Sequence, residues 1–508
     1  MKIFLRYKNI YIPFIYHIFV ITMMGHFENL KSRIAKIPMA MVVIPFALGI
    51  FFADAVQVPM WLLFLACAVS LVGVIALAKW WQMCALFAMI FTAGSLIHTI
   101  SYRGEVEYGK PLDMLLKIET SSAERKGYTS AEAEIKSCED GSLNDRKVVV
   151  WGDSLTYFRA GDRLRLTTPI RPFRAEREHY AVLMHHRGFV GSVSVNHRAT
   201  YEYIPTERPT LHDRAVERLQ GAMAEDDGRA VVLAMTIGER CEITPELRQS
   251  YSASGASHLL AVSGLHIGIA FMLINILLLP LVLLRHGNVV RSVVAITLIW
   301  LYVWLCGLSP SAVRAAIMFS ALQFSLSSLR EYHSVNILAA TAFAMLIFDS
   351  HLLFDISFQL SFVAVAGIIL WAMPLYRLCT TRFKAINLLL GVLLVGVAST
   401  AATMPLVAHN FATISIVGIL INPAVILLAN IVVLTGVVAL AVPPLGFVAV
   451  WAAEWQNRLV EWATALPYGH FDLTIPEWVM WVVYALYAVT TFIFWSAPKE
   501  EKEPKIEG

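Results

Sequence analysis

Residues 257–284 read SHLLAVSGLHIGIAFMLINILLLPLVLL. From Ile267 onward the run is almost entirely Ile, Leu, Val, Met and Phe, broken by Asn275 and Pro280. Such a run is close to the roughly 20 residues a helix needs to cross a hydrocarbon core. Its first part holds His258, Ser263 and His266 together with Gly264 and Gly268. Polar side chains at this depth are costly in lipid and face a cavity or a partner helix. Small residues let another backbone approach closely. The segment predicts a polytopic α-helical membrane protein with some polar groups in its interior.

The rest of the chain carries the same signature. Of 508 residues, 57% are hydrophobic and 15% charged, against roughly 25% charged in an average soluble domain. Abundant apolar residues beside a net charge of +3 exclude disorder. Six cysteines in so long a chain exclude a disulfide scaffold. The near-neutral balance excludes a protein that holds nucleic acid over its whole surface, so any such contact must be local.

Apolar runs lie near 38–58, 60–79 and 81–100. After a polar interval they resume near 257–284, 288–306, 311–329, 334–349, 357–377, 386–407, 412–441, 444–466 and 477–497. About 11–12 transmembrane or membrane-embedded helices are expected. Pro423 interrupts the run at 412–441, and Glu454, Arg458 and Glu461 sit in that at 444–466. Lys31, Arg33 and Lys36, then Lys79, Arg285 and Arg291, Arg330, Arg377, Arg382 and Lys384, and finally Lys499, Lys502 and Lys505 fall after every second span. Basic flanks favour the cytoplasm, so both termini are expected inside and residues 101–250 outside. The expected division is an N-terminal extension (1–30), three helices (31–100), a soluble domain (101–207), a helical connector (208–250), a second membrane domain (251–497) and a polar cytoplasmic tail (498–508). The apolar stretch 10–24 follows Lys2, Arg6 and Lys8 in the manner of a signal peptide. Met23 and Met24 precede an ordinary membrane-protein start, and residues 1–22 are alternatively an over-extended beginning.

The polar interval alternates in short stretches, such as 147–151 (KVVVW) and 162–166 (DRLRL), beside turn residues. This predicts a small extracytoplasmic β-barrel or sandwich, of a size that suits an oligonucleotide-binding (OB) barrel. Between Arg146 and Arg198 ten Arg and Lys oppose four Asp and Glu, a net of +6, with Trp151, Tyr157, Phe158, Phe173, Tyr180 and Phe189 interleaved. A basic groove with aromatic platforms suits single-stranded nucleic acid. A solvated β-domain with core aromatics reads the same way. In 208–250, Leu211, Ala215, Leu219 and Met223 recur at helical spacing, a second helix is expected at roughly 228–237, and Thr244-Pro-Glu-Leu247 forms a helix start with Thr244 as N-cap. This connector reads as a packing element.

Three chemistries fit the polar residues of 255–268. His258 and His266 lie eight positions apart, about 80° around a helix. A hydrolase would use Ser263 with His266, but no Gly-x-Ser-x-Gly elbow or third member accompanies them. A metal site would need a fuller ligand set. A pore or gate needs only that neutral polar groups face a cavity. A helix-packing motif with satisfied histidines stands against all three. Farther on, Arg314 lies in an apolar helix and needs a carboxylate or carbonyls. Asp355, one helical turn before Gln359, is its expected partner. An ion pair that fixes helix register and a contact to a passing anion both remain open. Asn422-Pro423 marks either a broken helix facing a cavity or a simple kink.

The string SGASHLLAVSGLHIG (254–268) resembles the signature of the ComEC family of competence proteins. SPSAVRAAIMFS (309–320), FDISFQLSFVAVAGI (354–368) and FATISIVGILINPAVI (411–426) resemble later family segments in the same order, with Pro467 and Pro476 in the terminal helices. FRAEREHYAVLMHHRGFVG (173–191) resembles the end of the family's OB-like domain. The resemblance implies an inner-membrane channel for single-stranded DNA in natural transformation. It implies a path along His258, Ser263, Gly264, His266, Arg314, Asp355, Gln359 and Asn422, and strand contacts at Arg159, Arg163, Arg165, Arg171 and Arg174. The implied partners are single-stranded DNA, the bilayer, an external motor, a separate nuclease and competence DNA-binding proteins; a homo-oligomer stays open. Many members carry a C-terminal metallo-β-lactamase-like domain. No His-x-His-x-Asp-His string and no Gly-x-x-x-x-Gly-Lys loop occur here, so neither nuclease nor ATPase is expected in this chain. No cofactor or metal is expected. The alternatives are a membrane-embedded hydrolase using Ser263 and His266, and a transporter of another anionic polymer or lipid. Cys138 and Cys241 have no spacing that demands pairing, and free buried thiols are expected throughout.

Overall fold

The computed structural model describes residues 37–496 except 57, 79, 102–107, 120–122, 126–127, 139–140, 142, 154–157, 159–160, 174–180, 182–183, 185–186, 196–200, 206–209, 328–332, 412 and 467–469. The expected N-terminal extension and cytoplasmic tail lie outside the described residues. The first three helices are α1 (Pro38–Ala55), α2 (Met60–Ala76) and α3 (Trp80–Ser101). Packing of α1 on α3 depends on two glycines. A Cβ on Gly49 would collide with the carbonyl of Phe91, and one on Gly94 with that of Phe46. Small residues at such a crossing allow backbones to touch in lipid.

The polar interval folds as one open mixed sheet. Its strands are β1 (Pro111–Ile118), β2 (Ala123–Arg125), β3 (Tyr128–Cys138), β4 (Lys147–Asp153), β5 (Arg163–Pro169), β6 (Phe189–Val195) and β7 (Tyr201–Ile204). Their order is β6-β4-β3-β1-β5-β7, with β2 beside β3. The ladder is mixed, with β4 and β6 parallel and the other pairs antiparallel, and does not itself show the closure expected of a barrel. Alternation sends Leu112, Met114, Leu116 and Ile118 of β1, Leu164 and Leu166 of β5, and Val148 and Val150 of β4 into a single core around Phe158. A lone bridge between Arg171 and Ser192 brings the chain after β5 against β6.

The connector comprises α4 (Leu211–Gln220), α5 (Asp227–Thr236) and α6 (Pro245–Ala253). Thr244 caps α6 by accepting from the N–H of Leu247, with Pro245 in its first turn. Helix α5 matches the expected 228–237, and residues Ala230–Thr236 are buried on every side. It is a core element of the second membrane domain, packed with Val425, Ala429, Val432 and Val433 and with Ala449, Ala452 and Ala453.

That domain contains α7 (Gly264–Leu277), α8 (Gly287–Leu305), α9 (Pro310–Ser327), α10 (Ser334–Phe348) and α11 (Ile356–Cys379, with a π-turn at Ile368–Ala372). It continues through α12 (Lys384–Asn410), β8 (Thr413–Ser415), α13 (Ile416–Ala439), α14 (Gly446–Thr464), β9 (His470–Asp472) and α15 (Glu477–Ser496). Among the described residues six helices are long and apolar enough to cross a membrane: α1, α3, α8, α11, α12 and α13. Shorter apolar helices occur at Met60–Ala76, Gly264–Leu277, Ser334–Phe348 and Glu477–Phe492. The run 257–284 is not one helix. A 3-10 turn (Ser257–Leu260) precedes α7, and another (Leu279–Leu283) follows it.

Two expectations for 412–466 change. Helix α13 runs unbroken through Asn422-Pro423, so this Pro sits inside a continuous helix. The C-terminal ends of α8 and α13 also lie together. The Thr236 carbonyl accepts from the Tyr302 hydroxyl at 2.6 Å and the Cys306 thiol at 3.5 Å, while its side chain packs on Gly436. Strict alternation of the expected spans puts those two ends on opposite membrane faces. Helix α14 buries Ala449, Ala452, Ala453, Gln456 and Asn457 and exposes Trp451, Trp455, Arg458 and Trp462, so its small and amide side chains face the bundle and its tryptophans face outward.

Candidate functional site

The turn into α7 places the signature residues. Ser263 is extended and caps α7, with its Oγ accepting from the His266 N–H at 3.5 Å. The Ser263 N–H donates to His266 Nδ1 at 3.3 Å, closing a capping box with histidine in place of the usual glutamate. Because Nδ1 accepts, the neutral ring carries its proton on Nε2. That Nε2–H is buried without a hydrogen-bond partner, in a fully buried side chain. The box gives Ser263 and His266 a mutual structural task. It does not aim the imidazole at the Ser263 Oγ–H, as a hydrolytic dyad requires. His258, in the 3-10 turn before the box, is exposed and takes no part in it. Gly264 faces Ala315 Cβ across α9, and Gly268 faces the Phe319 ring.

Arg314, on α9, is 2% exposed. Its Nη2 donates to the Ser357 carbonyl and Oγ, both at 3.1 Å, and its Nε and Nη1 have no partner. The expected ion pair with Asp355 does not form. Asp355 spends one oxygen capping α11, accepting from the Phe358 N–H at 3.0 Å. Its other oxygen lies 3.2 Å from Arg187 Nε, and Arg187 also reaches Glu132 of β3 at 3.2 Å. Arg187 therefore ties the sheet to the first turn of α11. Gln359 turns back to donate to the Leu353 carbonyl at 2.9 Å. The Oδ1 of half-buried Asn422 is unpartnered. Thus His266, Arg314 and Asn422 are interior groups with unused hydrogen-bonding capacity, while Asp355 and Gln359 are engaged structurally.

Sequence reasoning missed a second buried polar group. His98 of α3 is fully buried, with Nδ1 2.9 Å from Ser350 Oγ and Nε2 3.6 Å from Asp54 of α1. Ser101 Oγ lies 3.2 Å from both Ser350 Oγ and His351 Nε2. Gly188, with φ of +81°, sits against the His351 ring. The cluster joins α1, α3, the α10–α11 link and the sheet. Its signal was a histidine inside an apolar run, the same kind of signal that marked Arg314.

On the sheet the basic residues are largely paired. Arg165 donates to Asp113 at 2.9 Å, and this hydrogen bond raises its pKa. Lys136 lies 2.7 Å from Glu134, and Lys147 3.6 Å from Glu119. Arg163 and Arg171 are exposed, whereas Arg159 and Arg174 lie outside the described residues. Phe158 is a core residue, and Phe189 packs with Val149 and Met184. None of the six cysteines is in a disulfide, but Cys84, Cys241 and Cys379 are exposed and, against the expectation of buried thiols, only Cys306 is buried. Among the described residues no group of His, Cys, Asp and Glu converges as a metal site would require.

The family of competence proteins matches residues 235–498, just over half of the chain. The chain belongs to this family. The matched part begins in α5 and includes the capping box, Arg314 and Asn422, while the sheet lies outside it. The chain is 29% identical over 245 residues to the ComE operon protein 3 of Bacillus subtilis, covering 47% of this chain and 30% of that protein. An uncharacterized protein of Aquifex aeolicus is 28% identical over 235 residues, 46% of this chain and 53% of its own. The uncharacterized protein YcaI of Escherichia coli is 27% identical over 172 residues, 32% of this chain and 22% of its own. The chain thus spans between about a fifth and a half of the length of these relatives. No solved structure matches it.

Proposed function

We propose that this chain forms a bacterial inner-membrane channel through which single-stranded DNA enters during natural transformation. The observation that carries the reading is that the competence family covers the part of the chain where His266, Arg314 and Asn422 hold unpartnered polar atoms among apolar helices. Polar groups are costly in such surroundings, and an anionic polymer passing between the helices would use those that donate. The His266 Nε2–H and the free Arg314 N–H groups are donors suited to phosphate oxygens. A sparse set of such donors lets cargo leave as well as bind.

In this reading both termini are cytoplasmic and residues 101–250 lie outside. The basic flanks support this orientation, as do the contacts that gather Asp54, Ser101, Ser350 and Arg187 beneath the sheet. The sheet closes toward an OB-type barrel, a proposal supported by the parallel β4–β6 pair and the Arg171–Ser192 bridge. Arg163 and Arg171 then offer the exposed cations of that domain. Motor, nuclease and cytoplasmic DNA-binding proteins are separate partners. The test is transformation frequency in a transformable host lacking the gene, complemented by wild type or His266→Ala. Uptake lost on deletion, restored by wild type and not by the variant, is the expected result. Uptake that persists without the gene overturns the proposal.

A further inference from the structure

The segment Gly238-Glu-Arg-Cys-Glu242 sets two carboxylates on either side of one guanidinium, yet the fold sends the carboxylates elsewhere. Glu239 accepts from the Cys241 N–H at 2.9 Å and lies 3.5 Å from His212 Nε2. Burial pushes its pKa up, but the hydrogen bonds from His212 and Cys241 outweigh this and bring it down to about 2. Glu242 accepts from Arg229 Nε at 2.9 Å and from Gln220 Nε2 at 2.7 Å. Arg240 instead lines a pocket of about 230 Å³ with Ile243, Arg248, Ser257, Leu260 and Ala261. Arg248 comes from α6. Among the described residues neither arginine makes an ion pair. Burial, and then the charge of Arg248, lower the Arg240 pKa.

Arg240, Arg248 and Ser257 stand exposed around this pocket, with Ile243 and Leu260 buried at its floor. Two like charges held there repel each other, and the apolar floor strengthens that repulsion. The same floor strengthens attraction to an anion. Guanidinium forks match two oxygens of one phosphate better than a point charge does. Ser257 adds a hydroxyl, and Ser257 and Leu260 belong to the 3-10 turn that leads toward the Ser263–His266 box.

We infer that the Arg240–Arg248 pocket binds a phosphodiester group. Its source is the backbone of the incoming strand, a step that rests on the channel reading above. A phospholipid headgroup carries the same group. The pocket would hold a phosphate just ahead of the polar interior, so that the strand is gripped before it meets His266.

The test uses the full chain in nanodiscs of zwitterionic lipid, with a fluorescent single-stranded oligodeoxynucleotide titrated at several salt concentrations. Wild type is compared with Arg240→Gln/Arg248→Gln and Arg240→Lys/Arg248→Lys, each checked for an unchanged melting profile. The Gln pair is expected to weaken binding about tenfold and to flatten the salt slope by about 0.7 for each phosphate no longer neutralised. The Lys pair should keep the slope and bind somewhat more weakly. Equal affinity and slope for the Gln pair and wild type overturn the pocket, while leaving the channel to its own transformation test. A parallel arm measures anionic phospholipid retained by each variant. Arginine-dependent lipid retention without oligonucleotide binding by wild type upholds the phosphodiester site, assigns it to lipid and counts against the channel.

Discussion

The capping box at Ser263 makes a sharp prediction, because a cap and a nucleophile tolerate different replacements. Ser263→Ala removes the acceptor for the His266 N–H. Loss of an N-cap typically costs about 1 kcal/mol. Here the abandoned donor sits at a buried residue, which adds a desolvation cost of about 1 kcal/mol. A total near 2 kcal/mol makes the first turn of α7 open roughly 30-fold more often. Ser263→Asn and Ser263→Thr keep an acceptor at the cap and should cost only a few tenths of a kcal/mol. The assay pairs transformation frequency with hydrogen exchange of a peptide covering 263–270. Faster exchange and poor uptake for Ala are expected, with both near wild type for Asn and Thr. If Asn, which caps but has no hydroxyl, is as inactive as Ala while its exchange matches wild type and Thr stays active, the hydroxyl acts chemically and the capping argument is refuted.

Three further outcomes follow from the described geometry. Asp355→Asn keeps the α11 cap but loses the ion pair to Arg187, a half-exposed interaction worth about 0.5–1 kcal/mol; Asp355→Ala loses both, and a double-mutant cycle with Arg187→Met should show coupling only through the charge. The raised pKa of His212, caused first by its hydrogen bond to Glu239, makes its contribution full below the ordinary histidine value and lost as pH rises through the folded value. Glu239 contributes fully above the ordinary carboxylate value and loses that contribution as pH falls through about 2. The melting gap between wild type and His212→Asn should therefore be widest at about pH 4.5–6.5 and shrink by pH 9; a gap that widens there would contradict the sign. Gly94→Val would drive a side chain into the Phe46 carbonyl and should cost about 3 kcal/mol, read as loss of monodisperse protein on heating in detergent, whereas Gly396→Ala, where a Cβ meets open space, should not.

The apolar runs of α1, α3, α8 and α12 were legible because hydropathy over a membrane thickness averages many residues, and no single neighbour reverses it. The stretch Ala230–Ile237, apolar but for Thr236, was legible as a helix, but its burial was not drawn from it. A short helix without a polar face is a buried helix, and that signal was present. Charge was harder. The +6 window over 146–198 omits Asp113, Glu119 and Glu132, which the folded sheet lays beside Arg165, Lys147 and Arg187. A window counts neighbours in sequence, whereas a sheet makes its pairs across strands. Arg314 and Asp355 shared an expected depth, yet depth does not fix direction. Asp355 had a backbone N–H and Arg187 closer to hand. The Ser263–His266 spacing was visible as one turn, but whether it meant a dyad or a cap depended on backbone angles that residue types do not report.

The meeting of Thr236 with both Tyr302 and Gly436 bears on any attempt to map this protein with compartment reporters. A fusion just after Cys306 and one just after Ala439 should give the same signal, although hydropathy alone assigns them opposite signals. Because α13 is long and apolar enough to cross, its other end at β8 would then read opposite to Cys306, so a fusion at the β8 turn and one between α13 and α14 together decide the topology.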